Sequence, residues 1–258
     1  MGQPYHLSLG FIYHFPAMPS FFFAYGALMD PMIIKRRRIS PLDATPAVLH
    51  GWQLVFNFHG IPEIEPCFGN VQENSASEVH GVLYSLNEVD LKNLLISEGA
   101  VDGNVDGYQP ISLGVRTYGG NCFTNAIVLV VPQKSKSIVY QTNCPSTRYL
   151  NLLWNGARHF QLHPPYIAFL EAIPPHSRSS LMSLVVVLEG IFLLSITLPV
   201  WIILLLRHKK EGGKFRPRNV LFRFLIPKVR MLHSMIFDMF RHTRFEQEVK
   251  YIVYPNSR

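Results

Sequence analysis

Apolar positions between residues 20 and 131 fall mostly in short runs bounded by turn-forming residues, a pattern that predicts strands. FFFAYG (21–26) reads as a strand running into a loop, and GWQLVFNF (51–58) as a strand. EVHGVLYSL (78–86) alternates apolar and small residues, and AIVLVV (126–131) is a buried strand ended by Pro132. Two stretches have helical character instead. NEVDLKNLLISEG (87–99) has Asn87 as N-cap and Gly99 as its stop. STRYLNLLWNGARHF (146–160) has Ser146 as cap and an inward face of Tyr149, Leu152, Leu153 and Phe160. Strands mixed with two or three helices predict an α+β domain over residues 20–174, a small mixed β-barrel with helices packed around it.

The pattern changes at residues 181–206, a run of 26 largely apolar residues interrupted by Glu189 and Pro199. That exceeds the roughly 20 residues needed to cross a bilayer, so a C-terminal transmembrane helix is expected, with the membrane as a partner and a single-pass localisation. Residues 207–258 form a basic tail. Within it Val229, Leu232, Ile236 and Phe240 lie at helical spacing, with Arg230, Arg241 and Arg244 on other faces. This suits either a helix lying on an anionic membrane surface or a basic tail without fixed structure.

Charge sharpens that division. The net charge of +7 is the sum of about +9 from residue 207 onward (13 Lys/Arg, 4 Asp/Glu) and about −2 from the rest. The basic character belongs to the tail, which carries no nucleic-acid-binding motif, so no nucleic-acid partner is expected. Three cysteines without CxxC spacing argue against a disulfide framework and fit a reducing compartment. Residues 1–19 form an extension broken by Pro16 and Pro19, without the features of a secretory signal. The basic flank after residue 206 favours the cytoplasm under the positive-inside rule, whereas the absent signal favours a cytosolic N-terminal domain; the latter is the expectation adopted.

Two stretches could carry chemistry. Tyr25-Gly26-Ala27-Leu28 forms a tight loop at the end of an apolar strand. Gly26 there permits close backbone approach, and successive N–H groups could receive an anion. Glu98 ends the first helix after Leu94, Leu95 and Ile96. A carboxyl group facing an apolar pocket is suited to general acid/base work. Metal-binding HExxH, GxSxG, phosphate-loop and GxGxxG patterns are absent, so no metal or organic cofactor is expected.

Taken in order, FFFAYGAL, GWQLVFNFHGIPEIEPCFGNV, SEVHGVLYSL, ISEGAVDGNVDGYQPISLGV and PSTRYLNLLWNGARHFQLHPPYIAFLEAIP resemble the γ-glutamylcyclotransferases over about residues 20–174. The resemblance implies a carbon–nitrogen lyase that releases 5-oxoproline from γ-glutamyl amino acids or peptides and needs no cofactor. It implies Glu98 as the catalytic acid/base. Phe22, Phe23, Ala24, Tyr25, Gly26, Ala27 and Tyr149 would surround the small-molecule substrate. One departure stands out: the family's loop usually has Ser where this chain has Ala27. Two alternatives therefore stay open, a non-catalytic γ-glutamyl or small-ligand binding module on the same fold, and a cyclotransferase acting on γ-glutamyl-amines or glutathione.

Overall fold

The computed structural model describes residues 19–61, 64–100, 106–135 and 144–177, single positions between 184 and 206, and Tyr254 and Pro255. Five strands close into a barrel: β1 (Ser20–Ala24), β2 (Asp43–Ile61), β3 (Glu65–Leu86), β4 (Gln109–Thr117) and β5 (Cys122–Val130), in the spatial order β1-β3-β2-β4-β5. All neighbours are antiparallel except β1 and β5, which pair in parallel through Phe22 with Ile127 and Phe23 with Val128 and so complete the barrel. The longest feature is the β2–β3 hairpin. Its register shifts between His50 and Trp52, where Gly51 has a φ of +78°, and again between Val55 and Phe58. Such bulges bend a long ribbon enough to wrap it into a barrel.

The expected strands and helices are found, with wider bounds. Residues 51–58 are the middle of β2, residues 78–86 the end of β3, and residues 126–131 overlap the end of β5. The first expected helix is α2 (Glu88–Ser97), capped by the Asn87 side chain, which accepts from the Asp90 N–H at 2.8 Å. The second is α3 (Thr147–His159), whose cap Ser146 accepts from the Tyr149 N–H at 3.0 Å. Helices α1 (Pro31–Arg36) and α4 (Pro164–Glu171) are short and open on prolines, so no sustained apolar period announces them.

Helix α3 matters most for position. Its buried side, with Leu150 and Leu153 fully shielded, packs against the 3-10 turn Ala27–Met29 that follows β1. Burying each such leucine stabilises the packing by about 1.5–3 kcal/mol. Gly156 sets the depth of that contact: a Cβ built there would lie 2.5 Å from the backbone carbonyl carbon of Met29. Trp154 ties α3 to α4 by donating from Nε1 to the Leu170 carbonyl at 2.9 Å.

A cluster of titratable groups lies under α4. His80 on β3 is buried among Glu78, Tyr118, His163, Tyr166 and Tyr254. Its Nδ1 is 2.5 Å from the Tyr118 hydroxyl and its Nε2 is 3.1 Å from Glu78 Oε1, while His50 faces the other oxygen of Glu78 at 3.0 Å. A neutral imidazole fits both contacts, donating from Nε2 to the carboxylate and accepting the phenol proton at Nδ1. Tyr118 in turn accepts from the His163 N–H at 3.0 Å.

The spanning helix expected over residues 181–206 is overturned, and with it the membrane partner and the single-pass localisation. Among the described residues no helix is long and apolar enough to cross a membrane. The longest described helix, α3, has 13 residues; at 1.5 Å per residue it reaches about 20 Å, against a hydrocarbon core of about 30 Å. A hydropathy run is a one-dimensional criterion, and a span also needs an unbroken helix of sufficient length. Most of residues 181–206, nearly all of the basic tail including its amphipathic stretch, and residues 1–18 lie outside the described residues.

Two stability outcomes are expected. Gly156→Ala forces α3 away from Met29 and destabilises the fold by about 1–3 kcal/mol in urea unfolding, whereas Gly114→Ala, where an added Cβ meets nothing within 4 Å, costs under about 1 kcal/mol. Burial holds the pKa of His80 below its ordinary value. The unfolded chain then binds more protons than the native one near the free imidazole pKa of about 6.5. Stability is therefore lost as pH falls from 7 toward 5.5, and His80→Gln should flatten that part of the stability profile.

Candidate active site

Strand β1 carries Phe22, Phe23 and Ala24 into Tyr25 and Gly26, all buried or nearly so. The chain then turns through the 3-10 segment, held by the Met29 N–H on the Gly26 carbonyl at 2.9 Å and the Asp30 N–H on the Ala27 carbonyl at 3.1 Å. The Asp30 side chain caps α1 by accepting from the Met32 N–H at 2.8 Å. The opening strand thus delivers the loop, and α1 fixes its exit.

Against this loop stands a cavity of about 320 Å3, at the small end of the range for ligand pockets. Every residue singled out in the sequence lines it: Phe22, Phe23, Ala24, Tyr25, Gly26, Ala27, Glu98 and Tyr149. Sequence reading missed several others, among them Arg37, Phe58, Phe68, Gly69, Tyr108, Leu129, Arg148 and Leu152. Phe58, Phe68 and Gly69 lie in the region of the hairpin where the register shifts, and no local signal marks them as lining. Tyr108, which precedes the fourth strand after the SEG segment, carried the clearest signal.

Tyr149 is the hub. Its hydroxyl accepts from the Gly69 N–H at 3.1 Å and from the Ala27 backbone N–H. A Cβ on Gly26 would sit 2.9 Å from that oxygen and one on Gly69 3.0 Å, so hydrogens at these positions make room for it. Phe56 and Phe68 meet the Tyr149 ring edge-on. Burial pushes the phenol up to about 12 despite the two N–H donors, so it stays protonated at neutral pH. Two further phenols are fastened to backbone: Tyr25 donates to the Leu129 carbonyl at 2.5 Å and Tyr108 to the Gly69 carbonyl at 2.5 Å. Burial, as the main cause, raises both well above the ordinary tyrosine value.

Two carboxylates face two guanidiniums around the cavity. Glu65 at the start of β3 is buried and contacts Ser146 Oγ, and Arg148 Nε donates to Glu65 Oε2 at 2.8 Å. That network clamps the first turn of α3 and so orients Tyr149 one residue further on. Glu98, the residue following α2, forms an ion pair with Arg37, which caps the C-terminal end of α1. The Glu98 side chain is 15% exposed, and its Oε1, the oxygen paired with Arg37, is buried. Among the described residues no group of three or more His, Cys, Asp or Glu side chains is arranged to hold a metal ion.

Comparison with known proteins bears on this arrangement. The profile of the AIG2-like family matches residues 78–170. The chain is 25% identical over 172 residues to the γ-glutamyl cyclotransferase gliK of Aspergillus fumigatus, covering 60% of this chain and 62% of that protein. To gliK of Claviceps purpurea it is 30% identical over 143 residues, covering 52% of this chain and 61% of that protein. The match thus spans about three fifths of the length of these curated relatives. Three solved structures share the fold. An uncharacterised protein of Homo sapiens has a TM-score of 0.53 at 22% identity, covering 63% of this chain and 92% of its own. A γ-glutamyl cyclotransferase has 0.52 at 21%, covering 65% and 97%, and YkqA of Bacillus subtilis 0.50 at 23%, covering 61% and 56%. In sequence and in fold, this chain resembles the γ-glutamyl cyclotransferase (AIG2-like) family.

Proposed function

We propose that this protein is a γ-glutamyl cyclotransferase that releases 5-oxoproline from γ-glutamyl amino acids or peptides, with Glu98 as general acid/base. The observation that carries the reading is the shielded carboxylate of Glu98, which shares one small cavity with residues 22–27 and Tyr149. The cavity's other walls are mostly aromatic and aliphatic, and they would exclude water from a substrate folded against them.

The reaction is an internal one. The α-amine of a γ-glutamyl compound attacks its own γ-carbonyl, so the enzyme must fold the substrate and handle protons. Glu98, paired with Arg37 at the cavity wall, takes a proton from the α-ammonium. The freed lone pair forms the new C–N bond and the carbonyl becomes a tetrahedral oxyanion. Glu98 then returns the proton to the departing nitrogen as the old C–N bond breaks, and the same carboxylate passes the second proton of the ring nitrogen to the released amine, giving neutral-ring 5-oxoproline and an ammonium product.

The oxyanion needs a fixed donor. The backbone N–H of Ala27 is engaged by Tyr149, so the phenol of Tyr149, fastened by two amides and retaining its own proton, is the better-placed donor. This also accounts for the tolerance of Ala27. The loop is fixed through its backbone, and a hydroxyl at position 27 would add about the 0.5–1.5 kcal/mol of one hydrogen bond.

A second reading, a γ-glutamyl binding module without turnover, is favoured by Ala27 alone. Measuring 5-oxoproline formed from γ-glutamyl-alanine decides between them. The wild type should turn over, and Glu98→Gln, of nearly the same shape, should lose about 10²–10⁴-fold in kcat while still binding by calorimetry; equal rates would remove the mechanism. Tyr149→Phe should lower kcat by about 10²-fold, and an unchanged kcat would exclude the phenol as the oxyanion donor.

A further inference from the structure

Arg37 belongs to the basic run Lys35-Arg36-Arg37-Arg38, and of these four it alone lines the cavity with Glu98. Lys35 and Arg38 face a separate groove beside Tyr84 and Phe160. Arg37 Nη1 is held at two points: it donates to Ser97 Oγ at 2.6 Å and pairs with Glu98 Oε1. Ser97 is itself anchored, donating to the Leu94 carbonyl at 2.7 Å. The Arg37 side chain is 27% exposed, so it borders both the cavity and the solvent. The cavity therefore contains a cation and an anion side by side, brought from the end of α1 and the end of α2.

The head group of an α-amino acid has the same two charges on one carbon, reversed. Glu98 Oε1, the oxygen that meets Arg37, belongs to a side chain lining the cavity, so an ammonium entering there can take the place of the guanidinium. We infer that Arg37 is the receptor for the substrate's α-carboxylate. On binding, the Arg37–Glu98 pair opens into two, ammonium on Glu98 and carboxylate on Arg37. The inference rests on the cyclotransferase reading and assigns the residue of that site that selects for the α-carboxylate.

Opening a partly buried ion pair is unfavourable unless both partners are paired again. A ligand with the amine but without the carboxylate would strand the guanidinium. The bond to Ser97 keeps Arg37 at the rim once Glu98 lets go, so the receptor does not collapse into solvent. The other guanidinium lining the cavity, Arg148, is committed to Glu65 through Nε, and its side chain is 69% exposed. It is positioned for the clamp on α3 and not for the exchange.

The experiment compares two substrates on the full chain: γ-glutamyl-alanine, and the same compound with its α-carboxylate replaced by a carboxamide. The wild type should prefer the carboxylate on the order of 10²-fold in kcat/KM, mainly through KM. Arg37→Gln should bring the two substrates within about threefold of each other, and Arg37→Lys, keeping the charge but not the fork, should retain part of the preference. A full preference in Arg37→Gln, or an equal loss on both substrates with the ratio intact, would overturn the assignment and leave Arg37 as a support for Glu98. Should the wild type release no 5-oxoproline, the cyclotransferase reading fails separately. Calorimetric titration with the same two compounds then decides the exchange. Tighter binding of the carboxylate by the wild type but not by Arg37→Gln supports it, and equal or absent binding overturns it.

Discussion

The phenol oxygen of Tyr149 occupies a gap between two backbones, one leaving β1 and one inside β3, and the gap exists because both facing residues are glycine. That contact couples the parts of the cavity. It joins the first helical turn of α3 to the loop after β1 and to the third strand of the barrel. It is supported from behind by Gly156, which lets α3 settle on the Met29 backbone, and from in front by the aromatic edges of Phe56 and Phe68. A side chain at Gly26 or Gly69 would push against a buried hydroxyl that has no room to yield.

The two carboxylate–guanidinium pairs show how similar chemistry serves different ends. Glu65 is buried and fully engaged, with Ser146 on one oxygen and Arg148 on the other. Such a closed network fixes geometry, because removing a partner would strand a buried charge. Glu98 has the same type of partner but lines the cavity, next to open volume. A carboxylate with a single charged partner at the edge of a cavity suits exchange better than support. The contrast comes from the number and direction of donors, since both side chains are largely shielded.

Local chemistry was legible wherever it was decided locally. The caps Asn87 and Ser146 act where their side chains and spacing placed them, because capping depends on the next three residues and little else. Strand interiors were legible from their apolar content, but their ends were not. The β2–β3 hairpin runs well beyond the segments visible in the sequence because pairing with a partner strand, and not propensity, sustains it. The long apolar run at 181–206 shows the limit of reading in one dimension, as no described helix has the length to span a bilayer.

By itself the sequence determined the α+β composition, the capped helices, and the ordered set of segments that singled out Glu98, Tyr149 and residues 22–27. Only the tertiary structure decided that these line one cavity, since closure of the barrel through the parallel β1–β5 pairing and the seating of α3 bring together residues more than a hundred positions apart. It also decided that Arg37, indistinguishable in sequence from its basic neighbours, faces Glu98. The physical reason is range. Capping and strand propensity act within a few residues, whereas ion pairing and cavity shape depend on where the folded chain places distant backbones.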